Sequence, residues 1–183
     1  MKKLFLTIEM LLLVVSFMSC SNSRTDATDA PDTHPTLKVY FSPNGGVTNA
    51  IVNEIKNAKS EILVQAYSFT SKEIAKSLVD ARKRGVHVEI ILDKSNLTQK
   101  YSAADFTAHM GIPTFIDAAH VIAHNKIMIL DKEIVITGSF NFTKAAEEKN
   151  AENLLIIKSK DLAKIYIENW NQHKGHSGQY EGR

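Results

Sequence analysis

His124-Asn-Lys-Ile-Met-Ile-Leu-Asp131-Lys-Glu-Ile-Val-Ile-Thr-Gly138-Ser-Phe-Asn141 is the stretch that decides the fold and places the chemistry. Two apolar runs, 124–130 and 133–137, flank Asp131-Lys132, so the stretch reads as two strands joined by a tight connection. Side chains alternate faces along a strand, which puts His124 and Lys126 on one side and Asn125, Ile127 and Ile129 on the other. Gly138 lets the backbone come close to a ligand after the second strand. Ser139 and Asn141 share a parity and add a hydroxyl and an amide to the same pocket. Phe140 and Phe142 have the opposite parity and read as core. A nucleophile or acid, a fixed cation and two neutral donors suit a phosphate, supplying attack, charge stabilisation and orientation. Asp131 falls at the turn, opposite the His124 face, and is the member of the set least suited to touch substrate.

Outward from this stretch, strands and helices alternate. Residues 37–41 form a strand that ends in the turn residues Ser42-Pro-Asn-Gly-Gly46. Ile51, Ile55 and Ala58 mark one face of a helix, and 62–66 is a short apolar strand. Ser71 is placed to cap the next helix, with Glu73 in its first turn, Ala75, Leu78 and Val79 on its buried side, and Gly85 ending it. Further strands are expected at 86–92, 114–116 and 154–157, and a helix at 101–110 closed by Gly111. Leu162, Ile165, Tyr166 and Trp170 give a last amphipathic helix. The pattern is that of an α/β fold, with a mainly parallel or mixed sheet flanked by helices on both faces. There is no internal repeat. One catalytic domain at 37–174 is expected, followed by a loose polar tail at 175–183.

The chain has 183 residues, 44% of them hydrophobic, which suffices for one globular domain with a core. A formal net charge of +2 neither demands nor excludes a polyanionic partner, so any nucleic-acid footprint must be local. Lys2 and Lys3 precede an apolar stretch from Leu4 to Met18, a pattern that makes 1–19 a secretory signal and the protein an exported one. Glu9 interrupts the apolar stretch, and the uninterrupted part is too short for a membrane span, which needs about 20 residues. Cys20 is the only cysteine, so no intrachain disulfide can form. Phe17-Met18-Ser19-Cys20 resembles the lipobox of bacterial lipoproteins at Ser19 and Cys20, and departs from it at Phe17 and Met18. Cys20 is therefore either a lipidated first mature residue, tethering a periplasmic protein to a membrane, or an incidental cysteine of a plain signal. Residues 20–36, rich in Ser, Thr, Asp, Ala and Pro, read as a flexible tether.

The spacing HxKx4Dx6GSxN, from His124 to Asn141, resembles the signature of the phospholipase D superfamily at every defined position. The continuation from Phe142 through Glu152 and Asn153 is similar to the small bacterial endonucleases of the Nuc type. So are Phe41-Ser-Pro43, Ala66-Tyr-Ser-Phe-Thr70 and Lys83-Arg-Gly-Val86. The resemblance covers 37–173 and implies a phospholipase D-like fold. It implies that His124 attacks phosphorus to form a phosphohistidine, that Lys126 and Asn141 hold phosphate oxygens, and that Ser139 supports them. It further implies that Glu152 hydrogen-bonds and orients the histidine, that Asp131 is structural, and that no metal or other cofactor takes part. The chain holds no carboxylate cluster suited to a catalytic metal.

That mechanism needs two histidines, one as nucleophile and one as general acid, and the chain carries a single signature. A homodimer with a shared site is therefore implied. His87, His109, His120, His173 and His176 do not repeat the signature. His120 and His124 stand at a metal-like helical spacing, but the segment reads as loop entering strand, so no zinc site is expected from that pair. The expected function is that of a metal-independent endonuclease acting on DNA or RNA. Lys72, Lys76, Arg82, Lys83, Arg84, Lys94 and Lys100 are available for backbone phosphates, although solvated helix faces account for most of them equally well. A phospholipid hydrolase or transferase is the alternative, favoured by membrane tethering and disfavoured by the short chain. A non-catalytic lipoprotein of the same fold is a third reading.

Overall fold

The computed structural model of the chain describes residues 35–183. The signal at 1–19, Cys20 and the tether up to its last two residues lie outside the described residues. The first strand, β1 (Thr36–Ser42), is followed by α1 (Val47–Asn57), β2 (Glu61–Ala66), α2 (Lys72–Lys83), β3 (His87–Asp93), α3 (Ala104–His109) and β4 (Thr114–Asp117). Then come β5 (Lys126–Leu130), β6 (Ile134–Gly138), α4 (Lys144–Glu148), β7 (Glu152–Lys158), α5 (Lys160–His176) and β8 (Gly178–Tyr180). Among the described residues no helix is long and apolar enough to cross a membrane.

Among the described residues, all eight strands join one mixed sheet in the order β1-β7-β6-β5-β2-β3-β4-β8. Only β2–β3 and β3–β4 pair in parallel. The other five pairings are antiparallel, so the parallel share is smaller than the alternation of strands and helices suggests. For β5 and β6 the reason lies in the connection: a two-residue turn can only return a strand antiparallel to its neighbour. Asp131 and Lys132 both have positive φ, 53° and 57°, and Glu133 N–H donates to Leu130 O at 3.0 Å. Two central residues of positive φ make the turn type I′, whose twist matches that of the flanking strands.

Helices cover both faces. Ile51 and Ile55 of α1 and Ile74 and Leu78 of α2 pack with Ile62, Val64, Met128, Leu130 and Ile136 in the larger core. On the other face Ala163 and Trp170 of α5 pack with Leu63, Ile91, Ile127, Ile129 and Val135. The Trp170 indole N–H donates to the Val64 carbonyl at 3.0 Å, so the largest side chain of that layer is buried with its polar atom satisfied. Ser71 caps α2 by accepting from Ile74 N–H at 3.3 Å. Gly46, at the start of α1, has no cap of its own. Glu147 of α4 instead accepts from the N–H groups of Gly46 and Thr48, at 3.0 and 2.7 Å.

Three sequence expectations change. The helix expected at 101–110 is only Ala104–His109, and Tyr101 has a φ of 68° that no helix tolerates. The strand expected to begin at His124 begins at Lys126. The polar tail is not loose, and Lys174 is not the end of the domain. Helix α5 runs to His176, and Gly178–Tyr180 adds an antiparallel strand to β4. Tyr180 Oη donates to Asp105, and Arg183 donates to the same carboxylate through its backbone N–H and guanidinium, at 3.1 and 3.0 Å. Polarity along 178–183 hides an edge strand that is too short to show alternation.

Candidate active site

The register of the sheet sets the site. Ala66, at the end of β2, lies opposite Lys126, at the start of β5. Gly138 ends β6 opposite Leu154, and Glu152 opens β7. The signature residues other than Asp131 therefore lie toward the end of the sheet where β2 and β3 finish, the end at which open α/β sheets hold ligands.

His124 is exposed and precedes β5, held there by its neighbours. Asp93 Oδ2 accepts from Ala123 N–H at 2.7 Å, and Tyr67 N–H donates to Asn125 O at 2.8 Å. The Tyr67 ring lies against the imidazole, with centroids 4.6 Å apart and planes at 57°. Lys126 is only 6% exposed. Its Nζ donates to the His124 carbonyl at 2.8 Å and sits 5.2 Å from the centre of the Tyr67 ring. Burial pushes the Lys126 amine below the usual lysine range, while the negative charge of Glu152 acts the other way. Tyr67 has no place in the signature, and its role was not read from the sequence. The signal was available in register: it follows the β2 residue paired with Lys126.

Ser139 is tied to β7, with its N–H donating to Asn153 O at 3.1 Å and its Oγ accepting from Asn153 N–H at 3.0 Å. Phe140 and Phe142 are fully buried and anchor the segment, Phe142 meeting Phe69 edge-on at 6.3 Å. Asn141 Oδ1 is buried with no hydrogen-bond partner, so part of that amide's bonding capacity is unspent. Gly138 also has a reason within the sheet. It has a φ of 155°, and a Cβ there would stand 2.3 Å from Asn153 O, so it permits β6 and β7 to close on each other. Glu152 accepts from Asn150 Nδ2 at 3.2 Å and bears electrostatically on Lys126.

Asp131 lies at the far end of β5. It accepts from the N–H groups of Lys59, Ser60 and Glu61 and from Ser60 Oγ, at 2.7–3.1 Å. Burial works to raise its pKa, but these hydrogen bonds outweigh it and hold the carboxyl below the usual range. His120 and His124 do not come together, because the His120 ring turns to Asp117 instead. Of the basic side chains, Arg84 bonds the Ile55 carbonyl, Lys94 the His120 carbonyl, and Lys76 pairs with Asp80. Lys72 and Lys83 border a groove of about 570 Å³ between α2 and α3, with Val79, Tyr101, Phe106 and Met110 in its lining.

Residues 51–174 match the family model described as cardiolipin synthase, PLD-like domain. A Rickettsia conorii protein named phospholipase D is 46% identical over 138 residues, or 75% of this chain and 69% of that one. The crystal structure of Nuc from Salmonella typhimurium, a phospholipase D family member, is 40% identical with a TM-score of 0.78, over 81% of this chain and 100% of that one. NucT from Helicobacter pylori, at 22% identity and a TM-score of 0.72 over 80% of this chain and 100% of that one, shares the fold.

Proposed function

The chain belongs to the phospholipase D superfamily, a family of phosphodiesterase-type enzymes, and from that premise we propose that it is an endonuclease cleaving DNA or RNA without a metal. The observation that carries the reading is an exposed imidazole beside a lysine buried without a carboxylate in bonding distance. A buried ammonium of this kind suits a ligand that brings negative charge, as a phosphodiester does.

In the proposed reaction the neutral His124 ring donates a lone pair to phosphorus. The bond to the leaving oxygen breaks, and a second, protonated imidazole gives that oxygen its proton. The second ring, now neutral, takes a proton from water as the water oxygen displaces the first ring from phosphorus. Lys126 and Asn141 hold the phosphate oxygens on which charge gathers. Each chain supplies one such histidine, so His124 of the partner subunit is the second ring, in a homodimer.

Phospholipid cleavage is the second reading, favoured by the name of the Rickettsia relative and by the apolar groove rimmed with Lys72 and Lys83. Purified protein is to be assayed in excess chelator on DNA, RNA and phospholipid vesicles side by side. Nucleic acid is expected to be cleaved, with His124→Ala slower by roughly 10³-fold or more. Cleavage of phospholipid alone would favour the second reading. Complete loss in chelator, restored by one divalent ion in His173→Ala as well as in the wild type, would rule the metal-free mechanism out.

A further inference from the structure

Strand β4 ends on Asp117, whose side chain is fully buried. Three imidazoles converge on one of its oxygens. Oδ2 lies 2.8 Å from His173 Nδ1, 3.0 Å from His120 Nδ1 and 3.3 Å from His176 Nε2. The ring centroids are 4.9, 5.1 and 5.3 Å apart, and one ligand atom from each of the four residues lies within 4.8 Å of all the others. Asp117 and His120 are three residues apart at the end of β4. His173 and His176 are three apart on the last turn of α5.

We propose that Asp117, His120, His173 and His176 bind one divalent transition-metal ion, with Zn²⁺ the best match, as a structural clamp between the loop that presents His124 and the end of α5. The alternative is a network of hydrogen bonds alone, and it fits poorly. A carboxylate oxygen offers about two lone-pair sites, yet three ring nitrogens point at Oδ2. Oδ1 already accepts from Ala119 N–H and lies near His120 Nδ1, both at 3.1 Å. Balancing a buried carboxylate without a metal needs an imidazolium crowded against two other rings. A dication takes one lone pair from each nitrogen and one from the carboxylate, and balances the charge.

The spacing suits such an ion. A tetrahedral ion with bonds of about 2.0–2.1 Å holds its ligand atoms about 3.3–3.4 Å apart. The three Asp117 oxygen–nitrogen separations of 2.8, 3.0 and 3.3 Å need a small expansion, while the ligand atoms that stand farther apart, all within 4.8 Å, must draw together around the ion. Three imidazoles with one carboxylate select a borderline ion such as Zn²⁺, whereas Mg²⁺ and Ca²⁺ take shells of oxygen. Four protein ligands leave a tetrahedral ion no open position, which fits a structural site rather than a catalytic one.

The ion would act on residues 118–125. Lys94 already holds the His120 carbonyl at 2.9 Å, and Asp93 holds Ala123 N–H at 2.7 Å. A metal at Asp117 and His120 adds a third tie to the segment ending at His124, and fastens the helix that leads into β8. The proposal assumes nothing about the reaction catalysed.

The test uses the full chain without a polyhistidine tag, stripped with chelator and titrated with Zn²⁺. Binding is expected to saturate at one ion per chain and to raise the melting temperature by roughly 5–15 °C. Co²⁺ in its place should give the visible absorption bands of a tetrahedral site. His173→Ala should lose both effects. His176→Gln, at a more exposed position, should weaken binding by about tenfold or more while melting like the stripped wild type. His124→Ala should bind as wild type does. No stoichiometric Zn²⁺ in the wild type, an unchanged melting temperature at saturation, or binding by the His173 and His176 variants as tight as that of the wild type would overturn the proposal and leave a carboxylate–imidazole network.

Discussion

Lys126 and Asp131 show how two charged residues of one motif come to opposite uses. Lys126 has been taken out of water, and its amine bonds a neutral carbonyl, so the cost of its burial is offset in part by the charge of Glu152 and further when an anion arrives. Asp131 has its four donors already, and they hold the turn ahead of β2. The left-handed φ of 53° also suits Asp, which tolerates that region better than most residues do. Asp131→Ala should therefore destabilise the fold by about 2 kcal/mol at neutral pH, through charge-assisted hydrogen bonds lost. Activity per folded molecule should stay near wild type, because Lys126 is at the other end of the strand. The sign of the pH dependence follows from the depressed folded pKa. The stabilisation is fully present above the unfolded value of about 3.9 and is lost as pH falls through the lower folded value. Thermal unfolding of wild type and variant at pH 7 and at about pH 3 should show the gap narrowing in acid. An unchanged gap would mean that these bonds do not favour the ionised form.

The hairpin of β5 and β6 was legible because everything that specifies it is local: two apolar runs, two turn residues, and a motif of fixed spacing. Helix α2 was legible for the same reason, with Ser71 as its cap and Gly85 just past its end. What the sequence hid is non-local. Tyr67 meets His124 through strand register, and Asp117 and His120 meet His173 and His176 across more than fifty residues of chain. The paired three-residue spacings were a signal, but neither pair is informative until β4 and α5 are placed side by side. Strand β8 was missed because three residues carry no usable alternation. Gly138 was legible as a special position, but the closeness of β7 that also requires a glycine there was not. A Cβ there would be 2.3 Å from Asn153 O and 3.1 Å from Leu154 Cα, both backbone atoms that cannot rotate away. Gly138→Ala should destabilise by about 2–4 kcal/mol. It should also disturb the Ser139–Asn153 bonds beside the site. Cleavage normalised to the folded fraction should thus fall further than in Asp131→Ala, and equal rates in the two variants would show that the strand contact is only structural.

At the scale of the whole molecule, one edge of the sheet is long, apolar and uncovered. Leu37, Val39 and Phe41 alternate along β1 and are 57%, 46% and 66% exposed. They pair with Ile157, Leu155 and Asn153 of β7, on the face that α5 covers further along the sheet. An exposed row of this kind on an edge strand is a liability in a lone chain and a natural seat for a second copy. It also runs toward the site, since Ser42 at its end pairs with Glu152. These features support the proposed dimer, in which each subunit supplies one of the two imidazoles that the reaction uses. A dimer with one His124→Ala chain then lacks either the nucleophile or the acid and should be nearly inactive. Wild-type and His124→Ala chains, mixed, unfolded and refolded together, pair at random. Intact dimers form as the square of the wild-type fraction, so an equal mixture should retain about one quarter of the activity. A monomer with a self-sufficient site would retain about one half, because activity would follow the fraction itself. The readout is initial rate against wild-type fraction, with exchange of subunits verified by mass-tagged chains. A straight line under verified exchange would sink the shared site and require the acid to come from another residue of the same chain.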